Sequence, residues 1–365
     1  MTSLSQPAFH PSLPRLRASP SQNVMTLFVS WWLMIGIFVD GWAHNTFGET
    51  LETFFTPWHG VFYSGFLATA LWVGILVVRG VRTGRRGLAA VPLGYELAVI
   101  GMPVFALGGL GDMIWHTVFG IEVGLEALLS PTHLLLFLGA ELLALAPLSS
   151  AWQERTGRVS PPGVVWPAVL SATAALSFAS FMHMYAWALV ESPAPVDYLS
   201  TRAHLTGTLL TALLLTAPVL LLLKRWQLPP GAVTVLYLVN TLLMSAMTGD
   251  LTRSGPVLLL ALVSGLMSDL LIRGLRPSPS RPWAFRGGAL ALPLLVWAPF
   301  YAGASVLGLL SMSLELWLGV SVMSALGGLG LSALILPPAL PTEATVTKEP
   351  AGSDLSVSRP GTASQ

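Results

Sequence analysis

Long apolar runs separated by short polar breaks divide the chain into ten segments. They cover about 25–44, 58–79, 96–116, 132–150, 164–189, 204–223, 231–248, 256–273, 288–307 and 314–336. A helix needs roughly 20 apolar residues to cross a bilayer core of about 30 Å. The pattern therefore predicts an all-α, polytopic membrane bundle of about ten transmembrane helices, built from repeated helical hairpins. The seventh and eighth runs are separated only by Gly249 to Gly255, so a count of eight to ten fits the same pattern.

Composition agrees with this pattern. Of 365 residues, 53% are hydrophobic and 10% are charged, with a mean hydropathy of +0.71; soluble domains average about 25% charged. Basic residues set the orientation, because cytoplasmic loops carry the excess of Lys and Arg. With both termini in the cytoplasm, 16 of the 18 basic residues fall inside and only Arg202 and Arg253 fall outside. The net charge of +1, without a basic cluster, excludes nucleic acid as a partner. The absence of cysteine excludes disulfides, thiolate ligands and iron–sulfur clusters.

Organisation follows from the same breaks. Residues 1–23 read as a disordered cytoplasmic tail that is retained, since no short apolar core with a cleavage site precedes the first span. Residues 24–226 form a membrane domain of three hairpins, 24–80, 95–150 and 163–226. Residues 227–336 form a four-helix membrane scaffold. The Pro-, Thr- and Ser-rich stretch 337–365 reads as a second disordered cytoplasmic tail.

One motif interrupts the apolar pattern twice. Asp40-Gly41-Trp42-Ala43-His44, followed by Thr56-Pro57-Trp58-His59, recurs as Asp112-Met113-Ile114-Trp115-His116, followed by Ser130-Pro131-Thr132-His133. Phe-Gly follows the first His in each copy, and Glu52 and Glu126 each precede the Pro by five residues. The offset is 72 at the first Asp and His and 74 at the second His, so one two-residue insertion aligns the copies. A fixed offset of this kind predicts a duplicated structural unit. The third hairpin reads as a degraded copy, with His183 and His204 but Ala179 in place of the Asp. All six histidines fall at extracytoplasmic helix ends. The apolar segments between paired helices, Phe47 to Thr56 and Phe119 to Ser130, read as short interfacial helices or re-entrant turns.

Asp and His four apart share one helix face, and the second His approaches from the antiparallel neighbour. Ionisable groups inside a membrane are costly unless paired or coordinated. An Asp–His–His set suits zinc, copper or iron with positions left open. The expected metal ligands are therefore Asp40, His44, His59, Asp112, His116 and His133, with His183 and His204 able to add two imidazoles. Single histidines of this kind are more often packing residues; the doubling favours a metal. Glu52 and Glu126 are candidates for proton relay, against a plain interfacial role. Tyr63, four after His59, and Glu141, eight after His133, face the same way, and a buried carboxylate such as Glu141 demands a partner. Met113, Met182, Met184, Met244, Met247 and Met312 gather at the outer ends. Thioethers favour copper(I), although methionine is also an ordinary core filler.

The ligand set Asp-x3-His plus a His from the next helix resembles the membrane copper site in the C subunit of particulate methane and ammonia monooxygenases. That resemblance implies that Asp40, His44 and His59, or Asp112, His116 and His133, can hold copper in a membrane. The doubled motif also resembles uncharacterised bacterial membrane proteins. Four readings follow. The first is an inner-membrane metalloprotein, copper-binding, in redox chemistry or copper handling with an extracytoplasmic metal donor, acceptor or redox partner. The others are a zinc-dependent intramembrane hydrolase, a haem protein with paired imidazole axial ligands, and a transporter in which Pro103, Gly108, Gly109 and Gly111 break the third span.

Overall fold

The computed structural model describes residues 15–47, 54–120, 124–190, 198–247 and 251–338. In order the helices are α1 (Pro20–Phe47), α2 (Pro57–Arg82), α3 (Glu96–Phe119), α4 (Leu125–Leu129), α5 (Pro131–Ala144), α6 (Ala146–Trp152) and α7 (Pro162–Met182). They continue with α8 (Tyr198–Arg225), α9 (Ala232–Met247), α10 (Gly255–Leu275), α11 (Pro282–Val306) and α12 (Leu314–Ile335). Among the described residues, nine spans are long and apolar enough to cross a membrane, counting α5 and α6 together as Pro131–Trp152. The tenth apolar helix, α9, has 16 residues, or about 24 Å at 1.5 Å per residue. The chain is an all-α polytopic bundle.

The apolar pattern explains which face each helix buries. On α2, Phe62, Gly65, Thr69, Val73 and Leu76 are buried, while Leu67, Leu71, Ile75 and Val78 form an exposed stripe on another face. A row of exposed leucines and valines of that length suits lipid, not water. The helices pack α1 on α2, α3 on α5, α9 on α10 and α11 on α12. Small residues allow the first two pairs to approach closely: a Cβ at Gly65 would lie 2.6 Å from Leu33 Cα, and one at Gly139 would lie 2.6 Å from Phe105 N.

α3 runs unbroken through Pro103, so the expected break in the third span is absent. Its glycines serve contact instead: Gly108 abuts the Leu136 backbone, Gly109 the Tyr63 ring and Gly111 Thr132.

Among the described residues, the buried apolar side chains form two clusters. One gathers α1, α2, α3 and α5 around Leu33, Phe62 and Phe105. The other gathers α8, α11 and α12 around Leu220, Trp297 and Tyr301. α7 and α9 contribute to both, through Phe178 and Met244 on one side and Val169 and Leu236 on the other. α7 packs chiefly on α9 and α8 on α12, so the third pair does not repeat the close packing of the first two.

α7 ends at Met182, short of the boundary at 189 expected from hydropathy. His183 caps it, and a 3-10 turn, Met184–Ala186, follows. The end carrying most basic residues is knitted by arginines. Arg15 pairs with Glu96, Arg17 donates to the Gln153 carbonyl at 2.7 Å, and Arg225 donates to the Glu154 carbonyl at 2.8 Å. Arg158 donates to the carbonyls of Leu223, Lys224, Trp226 and Pro277.

Candidate metal centre

The repeated motif builds two adjoining groups at the other end of the bundle. Asp40 and His44 lie one turn apart near the end of α1, and α2 brings His59 to the same carboxylate. The His44 and His59 Nε2 atoms stand 3.7 and 3.5 Å from Asp40 oxygens. Asp112 and His116 occupy the same places on α3, and α5 supplies His133. Here the Nε2 atoms stand 3.3 and 3.2 Å from Asp112 Oδ1. Within each group, one donor atom from each residue lies within 4.8 Å of the others. For metal–ligand bonds of about 2.0–2.1 Å, donors around a tetrahedron lie about 3.3–3.4 Å apart. Both groups could hold a metal ion, and in the Asp112 group the two carboxylate-to-imidazole distances are already near that spacing.

The local sequence explains how the second histidine is held. Thr56 and Ser130 are N-caps, each accepting the backbone N–H of the histidine three residues on, at 3.1 and 3.4 Å. Pro57 and Pro131 take the first helical positions, where the missing N–H costs nothing. The Ser/Thr-Pro-x-His motif is therefore a helix start that fixes the imidazole in the first turn.

The far side of each ring is anchored as well. His59 Nδ1 donates to the Phe54 carbonyl. His116 Nδ1 donates to the Gly120 carbonyl at 3.2 Å, and His133 Nδ1 meets Ser130 Oγ at 2.7 Å. Gly120 has φ +84°, a turn that suits glycine and brings its carbonyl back over His116. With Nδ1 protonated against a carbonyl, a neutral ring presents its Nε2 lone pair to the carboxylate. Such anchoring of the distal nitrogen is characteristic of metal-binding histidines.

Charge decides what lies between these atoms. The rings are close: His44 to His59 5.7 Å, His116 to His133 5.6 Å and His59 to His116 6.4 Å between centroids. Two carboxylates balance at most two imidazoliums in an apolar setting, so at least two of the four rings are neutral. Where a neutral ring carries its proton on Nδ1, as the carbonyl anchors of His59 and His116 favour, its Nε2 and the carboxylate oxygen are both acceptors, and a proton or a metal ion between them would satisfy both.

The two groups share a cavity of about 70 Å³, lined by Asp40, His59, Asp112 and His133 among Phe62, Phe137, Phe178, Phe181 and Met182. Tyr63, from α2, donates to Asp112 Oδ2 at 3.4 Å, and Thr132 donates to Oδ1 at 3.4 Å. Tyr63 thus joins one group to the other. Phe54 adds a ring 4.9 Å from His59 and 6.3 Å from His116.

His183 and His204 stand outside both groups. His183 Nδ1 turns back to the Ala179 carbonyl at 2.7 Å, because α7 ends one residue earlier. His204 Nε2 meets Tyr301 Oη at 3.1 Å, and that hydroxyl also bonds Thr208. Glu141 is on α5 with Oε2 buried and without a hydrogen-bond partner among the described residues. Glu52 lies outside the described residues, and Glu126 is on the backbone of α4. Sequence reasoning missed the roles of Thr56 and Ser130, which the N-cap preference for Ser and Thr could have signalled, and that of Thr132, whose bond to Asp112 carries no local signal. It also missed the Phe54 and Gly120 carbonyls, which carry no side-chain signature.

Fold and site together define a multi-pass helical membrane protein with paired Asp–His–His groups able to bind metal. No family model, curated protein or solved structure matches the chain.

Proposed function

We propose that the chain is a bacterial inner-membrane copper protein, whose two Asp–His–His groups bind the metal near the extracytoplasmic face. Its role is redox chemistry on a small molecule or copper handling, with a metal donor, acceptor or redox partner on that side. The observation that carries the metal reading is the meeting of carboxylate oxygens and Nε2 atoms, with the distal nitrogens of His59 and His116 anchored on backbone carbonyls. The basic end opposite supports the orientation. Copper is supported by Met182 in the cavity wall and by Met247, whose sulfur lies 3.2 Å from where a Gly41 Cβ would sit; thioethers suit copper(I). The resemblance of the ligand set to the membrane copper site of the monooxygenase C subunit points the same way.

A zinc-dependent hydrolase is the second reading, favoured by the two Asp112-to-imidazole distances, which are near those of tetrahedral ligands. A cavity of about 70 Å³ takes a few waters but no porphyrin, which speaks against haem.

Elemental analysis of the protein in mild detergent tests these readings. Copper is expected in the wild type, about half of it in His44→Ala or His116→Ala, and none in the double variant, with helicity unchanged in all. Zinc in place of copper moves the conclusion to the second reading. Undiminished metal in the double variant overturns the site.

A further inference from the structure

A larger cavity, of about 640 Å³, opens at the basic end, between the α8–α9 connection, the last turns of α10 and the α10–α11 turn. Sites for small molecules commonly have volumes of about 300–1,000 Å³. Four arginines line it, Arg158, Arg273, Arg276 and Arg281, against one carboxylate, Asp269. Asp269 is already engaged by the start of α9. It accepts Val233 N–H at 3.1 Å, Thr234 N–H at 3.1 Å and Thr234 Oγ1 at 2.6 Å. Arg158 is engaged too, on four backbone carbonyls 3.0–3.3 Å away.

That leaves Arg273, Arg276 and Arg281. All three are exposed, and none has a side-chain hydrogen bond or ion pair among the described residues. Arg276 sits at φ 49°, ψ 57°, the one described non-glycine residue in the left-handed region. Glycine would be easier there, yet the chain carries a guanidinium at the rim of the cavity. On α10, Leu266, Leu270 and Arg273 follow at helical spacing down one stripe. Leu266 is 48% and Leu270 61% exposed, so the stripe leads from the lipid-facing middle of the helix to the arginines.

We propose that this cavity binds an anionic phospholipid, with Arg273, Arg276 and Arg281 on the headgroup phosphate and an acyl chain along Leu270 and Leu266. Guanidinium forks match phosphate oxygens in geometry and charge, and basic pockets between spans at the cytoplasmic edge suit such headgroups. A soluble phosphate would need the arginines but would leave the leucine stripe without a role. The inference is independent of the metal centre, which lies at the opposite end.

The full chain in detergent, titrated with phosphatidylglycerol, phosphatidylcholine or inorganic phosphate and read by native mass spectrometry, provides the test. Phosphatidylglycerol is expected to bind at least about tenfold more tightly than phosphatidylcholine. Arg273→Gln/Arg276→Gln is expected to abolish that preference, since each lost charge-assisted contact is worth roughly tenfold. Arg82→Gln, at the same end of the bundle and outside the cavity, is expected to keep it. Equal binding of the two lipids overturns the proposal, as does an unchanged preference in the double variant. Full displacement of phosphatidylglycerol by inorganic phosphate at matching concentration overturns the lipid assignment in favour of a soluble anion. Should the double variant misfold, Arg281→Gln alone is expected to weaken the preference several-fold, and no change there is equally fatal.

Discussion

The Asp40 and Asp112 groups carry the same three ligand types at the same helical spacing, yet their surroundings differ. Asp112 and His116 are each 1% exposed and His133 24%, and Tyr63 and Thr132 donate to the carboxylate. Asp40 is 16%, His44 25% and His59 5% exposed, and Asp40 Oδ1 has no hydrogen bond among the described residues. The Asp–His distances follow the same order, 3.2–3.3 Å in the buried group and 3.5–3.7 Å in the open one. Packing neighbours, not ligand identity, separate the enclosed Asp112–His116 pair from the more accessible Asp40–His44 pair. In the proposed function the buried group retains its ion and the open group exchanges it.

The largest expected contrast is between the carboxylates. Asp112→Asn should lower the unfolding free energy by about 1–3 kcal/mol, because Tyr63, Thr132 and two imidazoles lose a buried charged partner. Asp40→Asn should cost well under half of that, and each variant should lose the metal of its own group; thermal melts with elemental analysis check both. Equal destabilisation would break the comparison. Next comes access: a water-soluble chelator is expected to strip about half of the metal quickly and the rest slowly. A single phase would mean that burial does not govern exchange.

Gly109→Ala should act at one group only. Its new methyl would meet the Tyr63 ring at 2.7 Å and displace the hydroxyl from Asp112, weakening metal at that group several-fold while the Asp40 group keeps its own. The smallest effect is at the caps. Ser130→Ala and Thr56→Ala should each cost about 1 kcal/mol of stability. Only the Ser130 change should also weaken metal, since Ser130 alone bonds the ring of its histidine; comparing metal affinities of the two variants checks this.

Much of this was legible in the sequence. Hydropathy located the spans because lipid-facing and buried positions are both apolar, which leaves little ambiguity about existence and some about ends. The i, i+4 spacing of Asp and His, and the proline at the first turn of the next helix, sufficed to bring three side chains together twice. His183 and His204 were misplaced because periodicity cannot say which helices become neighbours. α8 turned to α12 and α11, and α11 gave His204 the Tyr301 hydroxyl instead of an aspartate. The anchors on Nδ1 were illegible for another reason: two of the three are backbone carbonyls, whose direction depends on turn geometry. Gly120 was visible in the repeat, but not the use of its φ of +84°.

The four carbonyls bound by Arg158 carry a consequence for biosynthesis. Three belong to residues 223, 224 and 226, and the fourth to Pro277. A ribosome has therefore released more than fifty further residues, with α9 and α10 among them, before this clasp can close. Until then the C-terminal end of α8 is held by an incomplete set of bonds, so insertion of the later helices completes the earlier ones. A nascent chain stopped after α8 would expose the unfinished clasp to whatever quality-control machinery surveys the membrane.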